Sequence, residues 1–251
     1  FYAPCGTFYQ IYRIRVGKLS NKSLRYLCFF IGVLINSFGV ALITKAALGT
    51  SPISSVPYVL SLRFAPTLGG FTFVMNLLFI AAQIALLRRN FQPVQLLQIV
   101  VNIVFSWFID VSMNLLGWFN PQGLPVQLAA LALGCAVLGF GISVEVAPDV
   151  LRVPGEGLVG ALSTVTGVRF GSVKVAFDVT LVAIALALSF VFFRGLNGLG
   201  LGTVVSALIV GRFVNLFNSR LPLIARIASL AKTPSAAQMP EQQMPSGQQA
   251  G

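Results

Sequence analysis

Six apolar runs, each close to the length of a membrane crossing, alternate with short polar or Gly/Pro-containing breaks. They cover residues 27–44, 71–87, 94–111, 126–144, 173–193 and 201–217. A helix needs about 20 apolar residues to cross the hydrocarbon core, so six transmembrane helices are expected. One break is unlike an ordinary loop. The stretch "KAALGTSPISSVPYVLSLRF", residues 45–64, follows the first run directly. It carries Gly-Thr-Ser-Pro and a second proline at Pro57, then turns apolar again. It is too polar to extend the span and too apolar for an ordinary surface loop.

Shifted by 102 positions, the sequence matches itself at Gly, Pro and polar positions without a gap. Gly32 meets Gly134, Phe38-Gly39 meets Phe140-Gly141, Pro52 meets Pro154, Gly69 meets Gly171, and Asn76 meets Asp178. Each half then reads span, break with a short apolar segment, span, span. An odd number of crossings inserts the second half upside down, so an inverted-topology repeat is expected. The two breaks become half-helices. Thr50 or Ser51 is expected to cap the first, with Pro52 in its opening turn. In the second, Glu156 lies in the first turn and complements the helix dipole. A half-helix of about ten residues reaches about 15 Å, half the hydrocarbon core. Two such N-termini meeting near the midplane would favour a polar or anionic group. The alternative is a pair of interfacial helices that cap the bundle and bind nothing.

Composition supports the membrane reading. The chain is 56% hydrophobic and 9% charged, where soluble domains carry about 25% charged residues. The net charge of +11 does not point to nucleic acid, because most basic residues flank the apolar runs as cytoplasmic anchors do, where they can meet anionic lipid. Arg13, Arg15, Lys18, Lys22 and Arg25 place the N-terminus inside; Arg88 and Arg89, Arg152 and Arg169, and Arg220, Arg226 and Lys232 follow spans two, four and six. Arg63 and Arg194 run against this scheme and are outnumbered. The expected layout is a basic cytoplasmic arm (1–24), a first repeat (25–118), an outer loop (119–125), a second repeat (126–221) and a largely disordered cytoplasmic tail (222–251). Both termini are cytoplasmic, in the plasma membrane. The first residue is Phe, so a truncated or processed N-terminus is expected, without a cleavable signal peptide.

Three cysteines form no CxxC, and there is no histidine. Neither a disulfide nor a metal cluster is expected, and no nucleophile elbow or metal-spaced ligand set points to an enzyme. No cofactor is expected. Ionisable residues at membrane depth are functional candidates. Lys174 and Asp178 are four apart on span five, on one helical face; with Asn76 they would line a solute or ion site, or clamp the two halves together. Asp110 and Arg212 are expected to snorkel to an interface. Glu145 would pair with Arg152 or Lys45 or be solvated. Lys45 is either an anchor or a positive charge aimed at a bound anion. Asn36, Gln83 and Asn102 are expected to be interhelical hydrogen-bonding groups, and Gly32, Gly39, Gly134, Gly139 and Gly141 to allow close helix packing.

"ALGTSPISSVPYVLS" resembles the A-x-L-G-x-S-P signature after the first span of the bacterial YczE/YyaS/YitT-like integral membrane proteins. "FGSVKVAFDVTLVAIALALS" and "GLGLGTVVSALIVGRFVNLF" resemble the second half of the YczE-like branch. The resemblance covers residues 25–220 and implies a six-span all-α bundle of two related halves. It carries no settled activity with it.

The function expected is a small-solute transporter or permease working by a rocking of the halves. Gly49, Thr50, Ser51 and Pro52 form the first half-helix mouth, Gly155 and Glu156 the second, and Asn76, Lys174 and Asp178 line the site. Its partners are the lipid bilayer and a small polar or anionic solute, with a homo-oligomer left open and no nucleic acid. The alternatives are a non-transporting membrane scaffold or regulator, and a substrate-capture subunit of a larger transporter.

Overall fold

The computed structural model describes residues 6–88 and 93–231, and side chains from Ser23 onward except those of Val94 and Ala231. Residues 1–5 of the expected arm, the expected anchor Arg89 and the tail beyond 231 lie outside the described residues. Among the described residues all regular structure is helical. The helices are α1 (Gly6–Lys45), α2 (Ser55–Arg63), α3 (Leu68–Leu87), α4 (Leu97–Leu115), α5 (Leu124–Val146), α6 (Pro154–Thr166), α7 (Phe170–Phe193), α8 (Leu201–Arg220) and α9 (Pro222–Ala231). Six of them are long and apolar enough to cross a membrane: the Ser23–Lys45 part of α1, then α3, α4, α5, α7 and α8. The chain is a multi-pass membrane protein. The third span starts later than its apolar run, because Pro93 opens a 3₁₀ turn (Pro93–Leu96) before α4 begins.

The centre of the bundle is α1 against α5. A Cβ on Gly39 would lie 2.7 Å from the Leu138 Cα, one on Gly141 2.6 Å from the Asn36 amide nitrogen, and one on Gly134 2.9 Å from that of Ile43. Gly32 lies in the same way against the Glu145 backbone. As numbers rise along α1 they fall along α5, so the two helices are antiparallel. Small residues seven apart on both helices let the backbones touch; in lipid, where apolar burial gives little, close van der Waals contact holds helices together. Around this pair pack Phe29, Val33, Ile43, Val101, Phe105 and Leu138. α4 lies on α1 and α8 on α5.

The short helices sit one layer out. α2 packs on α3 and α7, and α6 packs on the same two spans. Val56, Val59, Phe79, Leu158, Leu181 and Ala185 form the cluster between them, with the Phe79 and Phe177 rings 5.3 Å apart. Two parts of the expected layout differ. The basic arm is continuous with the first span, because α1 is helical from Gly6. The tail begins with α9, whose Ile224 and Ile227 are buried with Val144; an amphipathic decamer offers an apolar stripe that α5 covers.

Candidate functional site

Both half-helices form where the prolines predict. Pro52 starts a 3₁₀ turn (Pro52–Ser54) that runs into α2, and Pro154 is the first residue of α6. Proline fits there because the first-turn amides have no helical partner in any case. The expected caps do not form. The Ser51 hydroxyl donates to Ser54 Oγ at 3.0 Å, and Thr50 Oγ1 pairs with Thr44 Oγ1 at 2.9 Å.

The loop entering the first half-helix turns at Gly49, where φ is +131° and a Cβ would strike the Thr203 hydroxyl. A left-handed backbone and that close approach both require glycine. α8 grips this loop from the side. The Thr50 N–H donates to Thr203 Oγ1 at 3.2 Å, the Ser206 hydroxyl donates to the Thr50 carbonyl at 3.1 Å, and the Gly202 N–H donates to the Leu48 carbonyl at 2.8 Å. Thr50 and Ser51 are buried.

The loop entering the second half-helix is held from α1 and α3. Arg25 donates to the Pro148 and Asp149 carbonyls at 2.9 and 3.0 Å, and Gln83 Nε2 donates to the Pro154 carbonyl at 2.9 Å. Beside this start lies Glu145, buried to 1% exposure. Its Oε2 accepts from Asn36 Nδ2 at 2.8 Å. Neither Arg152 nor Lys45 pairs with it, because α5 turns this side chain toward α1 rather than outward.

The two half-helices meet at their first turns. A Cβ on Gly155 would strike Ile53 Cδ1 and lie 3.8 Å from the Phe79 ring; Pro52, Pro154 and Gly155 are buried. The contact is apolar, and open space lies to either side of it. A cavity of about 370 Å³ is lined by Leu87, Gln98, Asp149, Arg152, Gly157 and Thr164. Another, of about 560 Å³, is lined by Lys45, Tyr58, Ser61, Thr67, Asp110 and Asn114 among others. The first lies at the α3 C-terminus and the second at the α3 N-terminus, so they occupy opposite ends of the α3–α4 pair. Neither is lined by Pro52 or Pro154.

Lys174 and Asp178 form an ion pair at 2.7 Å with side chains 30% and 23% exposed. Half-buried Glu156, in the first turn of α6, feels their charges and that of Arg152: Lys174 and Arg152 attract it and Asp178 repels it. The structure thus joins Lys174 to Asp178, with Glu156 within reach of their charges. It leaves Asn76 with α4, where its Nδ2 donates to Asn102 Oδ1 at 2.8 Å.

That bond belongs to a polar stripe not recognised in the sequence as a unit. Gln98, Asn102, Ser106 and Asp110 recur every four residues on α4, a spacing that places them on one face. Gln98 bonds Gln83 at 3.4 Å, Asn102 donates to the Phe73 carbonyl at 3.0 Å, and Ser106 donates to Asn102 Oδ1 at 3.2 Å. Asp110 does not snorkel. Its two carboxylate oxygens accept from the Gly69 N–H at 2.8 Å and the Thr67 hydroxyl at 2.6 Å, neutralising the first turn of α3. The stripe runs from the first cavity, at Gln98, to the second, at Asp110.

Residues 23–219 match the model of a family described as a family of unknown function (DUF6198). The chain belongs to that family. It is 26% identical over 190 residues to "Uncharacterized membrane protein YczE" of Bacillus subtilis (strain 168), covering 75% of this chain and 82% of that one. It is 22% identical over 204 residues to "Uncharacterized protein YyaS" of the same organism, covering 81% and 95%. These matches place it in the YczE/YyaS-like membrane family indicated by its A-x-L-G-x-S-P segment. No solved structure matches the chain.

Proposed function

We propose that the chain carries a small, anionic or otherwise polar solute across the plasma membrane, its two three-span halves forming an inverted pair that rocks about the α1–α5 contact. The observation that carries this reading is the buried contact of the two proline-started half-helices at Ile53 and Gly155, flanked by cavities at opposite ends of α3 and α4. A closed constriction between two vestibules is what alternating access requires. The antiparallel run of α1 and α5 is what an inverted repeat would produce.

Each cavity has one basic residue in its wall, Arg152 in the first and Lys45 in the second. A solute with an anionic group would be drawn into either. Glu156, Lys174 and Asp178 would form the charged gate beside the constriction. The orientation follows the basic flanks: the Arg152 cavity opens to the cytoplasm, the Lys45 cavity to the outside, and both termini are cytoplasmic.

The test is uptake into proteoliposomes, screened over small anions, amino acids and sugars, comparing wild type with Lys174→Ala and Asp178→Asn. Uptake of one class, lost in both variants, is the expected result. Correctly folded wild type that takes up none of them ends the reading. A scaffold is the second reading, favoured by the protein groups on α8 that already satisfy the Thr50 mouth. On that reading, replacing Lys174 and Asp178 together by apolar residues leaves the biological role intact.

A further inference from the structure

Each cavity beside the constriction has one residue of either charge in its wall. In the first, Arg152 of the α5–α6 loop stands with Asp149, three residues earlier. In the second, Lys45 at the end of α1 stands with Asp110 of α4. In neither do the two charges join: among the described residues the one ion pair is Lys174–Asp178. Wall positions Asp149, Gly160 and Thr164 of the first cavity lie 102 residues after Ala47, Tyr58 and Leu62 in the wall of the second. The two cavities are thus counterparts in sequence position as well as in charge.

In the first cavity the two charges are held from different sides. Asp149 has a left-handed backbone, with φ +46°, a conformation that Asp adopts more readily than most residues. Arg25 donates to its carbonyl at 3.0 Å, and its own N–H donates to the Val146 carbonyl at 3.1 Å. Among the described residues no hydrogen bond or ion pair takes up its carboxylate. Arg152 is held from α6 and α7. Its guanidinium carbon lies 5.7 Å from the centre of the Phe170 ring, and a Cβ on Gly160 would come within 2.8 Å of its Nη1. Both residues are exposed, so a solute in water reaches them. The α6 side of the cavity is Gly157, Gly160, Ala161 and Thr164, spaced for one helical face, and these small side chains leave the space open.

We propose that the first cavity binds a small zwitterion, an amino acid of no net charge with an aliphatic side chain, and that the second receives the same solute across the membrane. Binding stands by itself; passage from one cavity to the other rests on the transport reading above. A guanidinium takes a carboxylate through two parallel hydrogen bonds, and an aspartate takes an ammonium group. A plain anion is drawn to Arg152 and repelled by Asp149, and a plain cation meets the reverse. A solute that carries both groups neutralises both residues at once, so the wall selects against either half alone. The volume of about 370 Å³ lies at the small end of the roughly 300–1,000 Å³ of ligand sites. Leu87 and Val150 give the wall an apolar part, which suits an aliphatic side chain.

The experiment is isothermal titration of the full chain in nanodiscs with L-valine, and with isovalerate and isobutylamine, which lack its ammonium and its carboxylate respectively. L-Alanine and L-leucine bracket the size. Wild type should bind valine at least about tenfold more tightly than either analogue. With Lys45→Gln in place to remove the cation of the second cavity, Asp149→Asn should weaken valine at least about tenfold and leave isovalerate no weaker. Arg152→Gln should weaken valine as much and leave isobutylamine no weaker. Asn accepts a left-handed backbone as Asp does; if either variant still fails to fold, the wild-type ranking decides alone. Isovalerate or isobutylamine bound as tightly as valine overturns the proposal. So do variants that weaken all the solutes alike, and so does a wild type that binds none of valine, alanine and leucine. The two failures are distinguishable. Valine bound by wild type but not taken up into proteoliposomes ends the transport reading and leaves the site. Uptake of a plain anion with no valine bound ends the site and leaves the transport reading.

Discussion

The α3–α4 pair and the α7–α8 pair stand about 102 positions apart in the sequence, and they are built differently. α3 lies along α4 and is sewn to it by the Gln98–Asn102–Ser106–Asp110 stripe. α7 packs on the half-helices and α8 on α5, and the two do not pair along their lengths. The buried share is 28% and 33% in the α3 and α4 spans and 17% in both α7 and α8. At the places that hold Thr72 and Asn76 on α3, α7 carries Lys174 and Asp178. Where a facing helix is present, neutral amides suffice; where it is absent, a charged pair stays half in the open.

The sharpest test of that contrast is a pair of glycines 102 apart. A Cβ at Gly69 would strike the Ser106 carbonyl oxygen and crowd the Asp110 carboxylate, whereas one at Gly171 meets nothing within 4 Å. Gly69→Ala should therefore cost about 2 kcal/mol through overpacking. Gly171→Ala should gain about 0.5 kcal/mol by stiffening the unfolded chain. Reversible unfolding in mixed micelles measures both, and equal effects would erase the distinction between the halves.

Asn102→Leu should come next, at about 1.5 kcal/mol, because it strips Asn76, Ser106 and the Phe73 carbonyl of partners at once. Val204 stands at the same place on α8 and is 57% exposed. Val204→Ala should change stability by less than about 0.5 kcal/mol. Asp110→Ala should cost about 1 kcal/mol by uncapping α3. Its counterpart Arg212 is exposed, and Arg212→Ala should fall within about 0.5 kcal/mol of wild type. An Arg212 effect as large as that of Asp110 would show that α8 is anchored after all. Lys174→Ala should likewise change stability by under about 0.5 kcal/mol, because solvent reaches the pair. That variant should lose uptake nonetheless, which separates a gate from a clamp; a large loss of stability with uptake retained would reverse the assignment.

Much of the fold was legible because bilayer thickness acts on composition directly. Any run near 20 apolar residues must be a span, and a proline after a polar break can open a helix but not continue one. Gly32, Gly39, Gly134 and Gly141 could be read as contact residues because small side chains in lipid-embedded helices have that use. The candidate site was legible only in part. Lys174 and Asp178 are local, four apart on one helix, and periodicity finds them. Asp110 looked like an end-of-span charge because the donors it accepts from, Thr67 and Gly69, are about forty residues away. For Glu145 the sequence offered Arg152, Lys45 or water, because the residue it does meet, Asn36, is 109 residues distant.

The order of elements, the six crossings and the two proline-started stubs follow from the chain's own hydrophobic pattern, since water and hydrocarbon sort residues one helix at a time. Which hydroxyl meets Thr50, which carboxyl group is buried without a counter-charge, and why one half is closed while the other stands open follow only from packing. Those are contacts between helices far apart in sequence, and no local period encodes a partner.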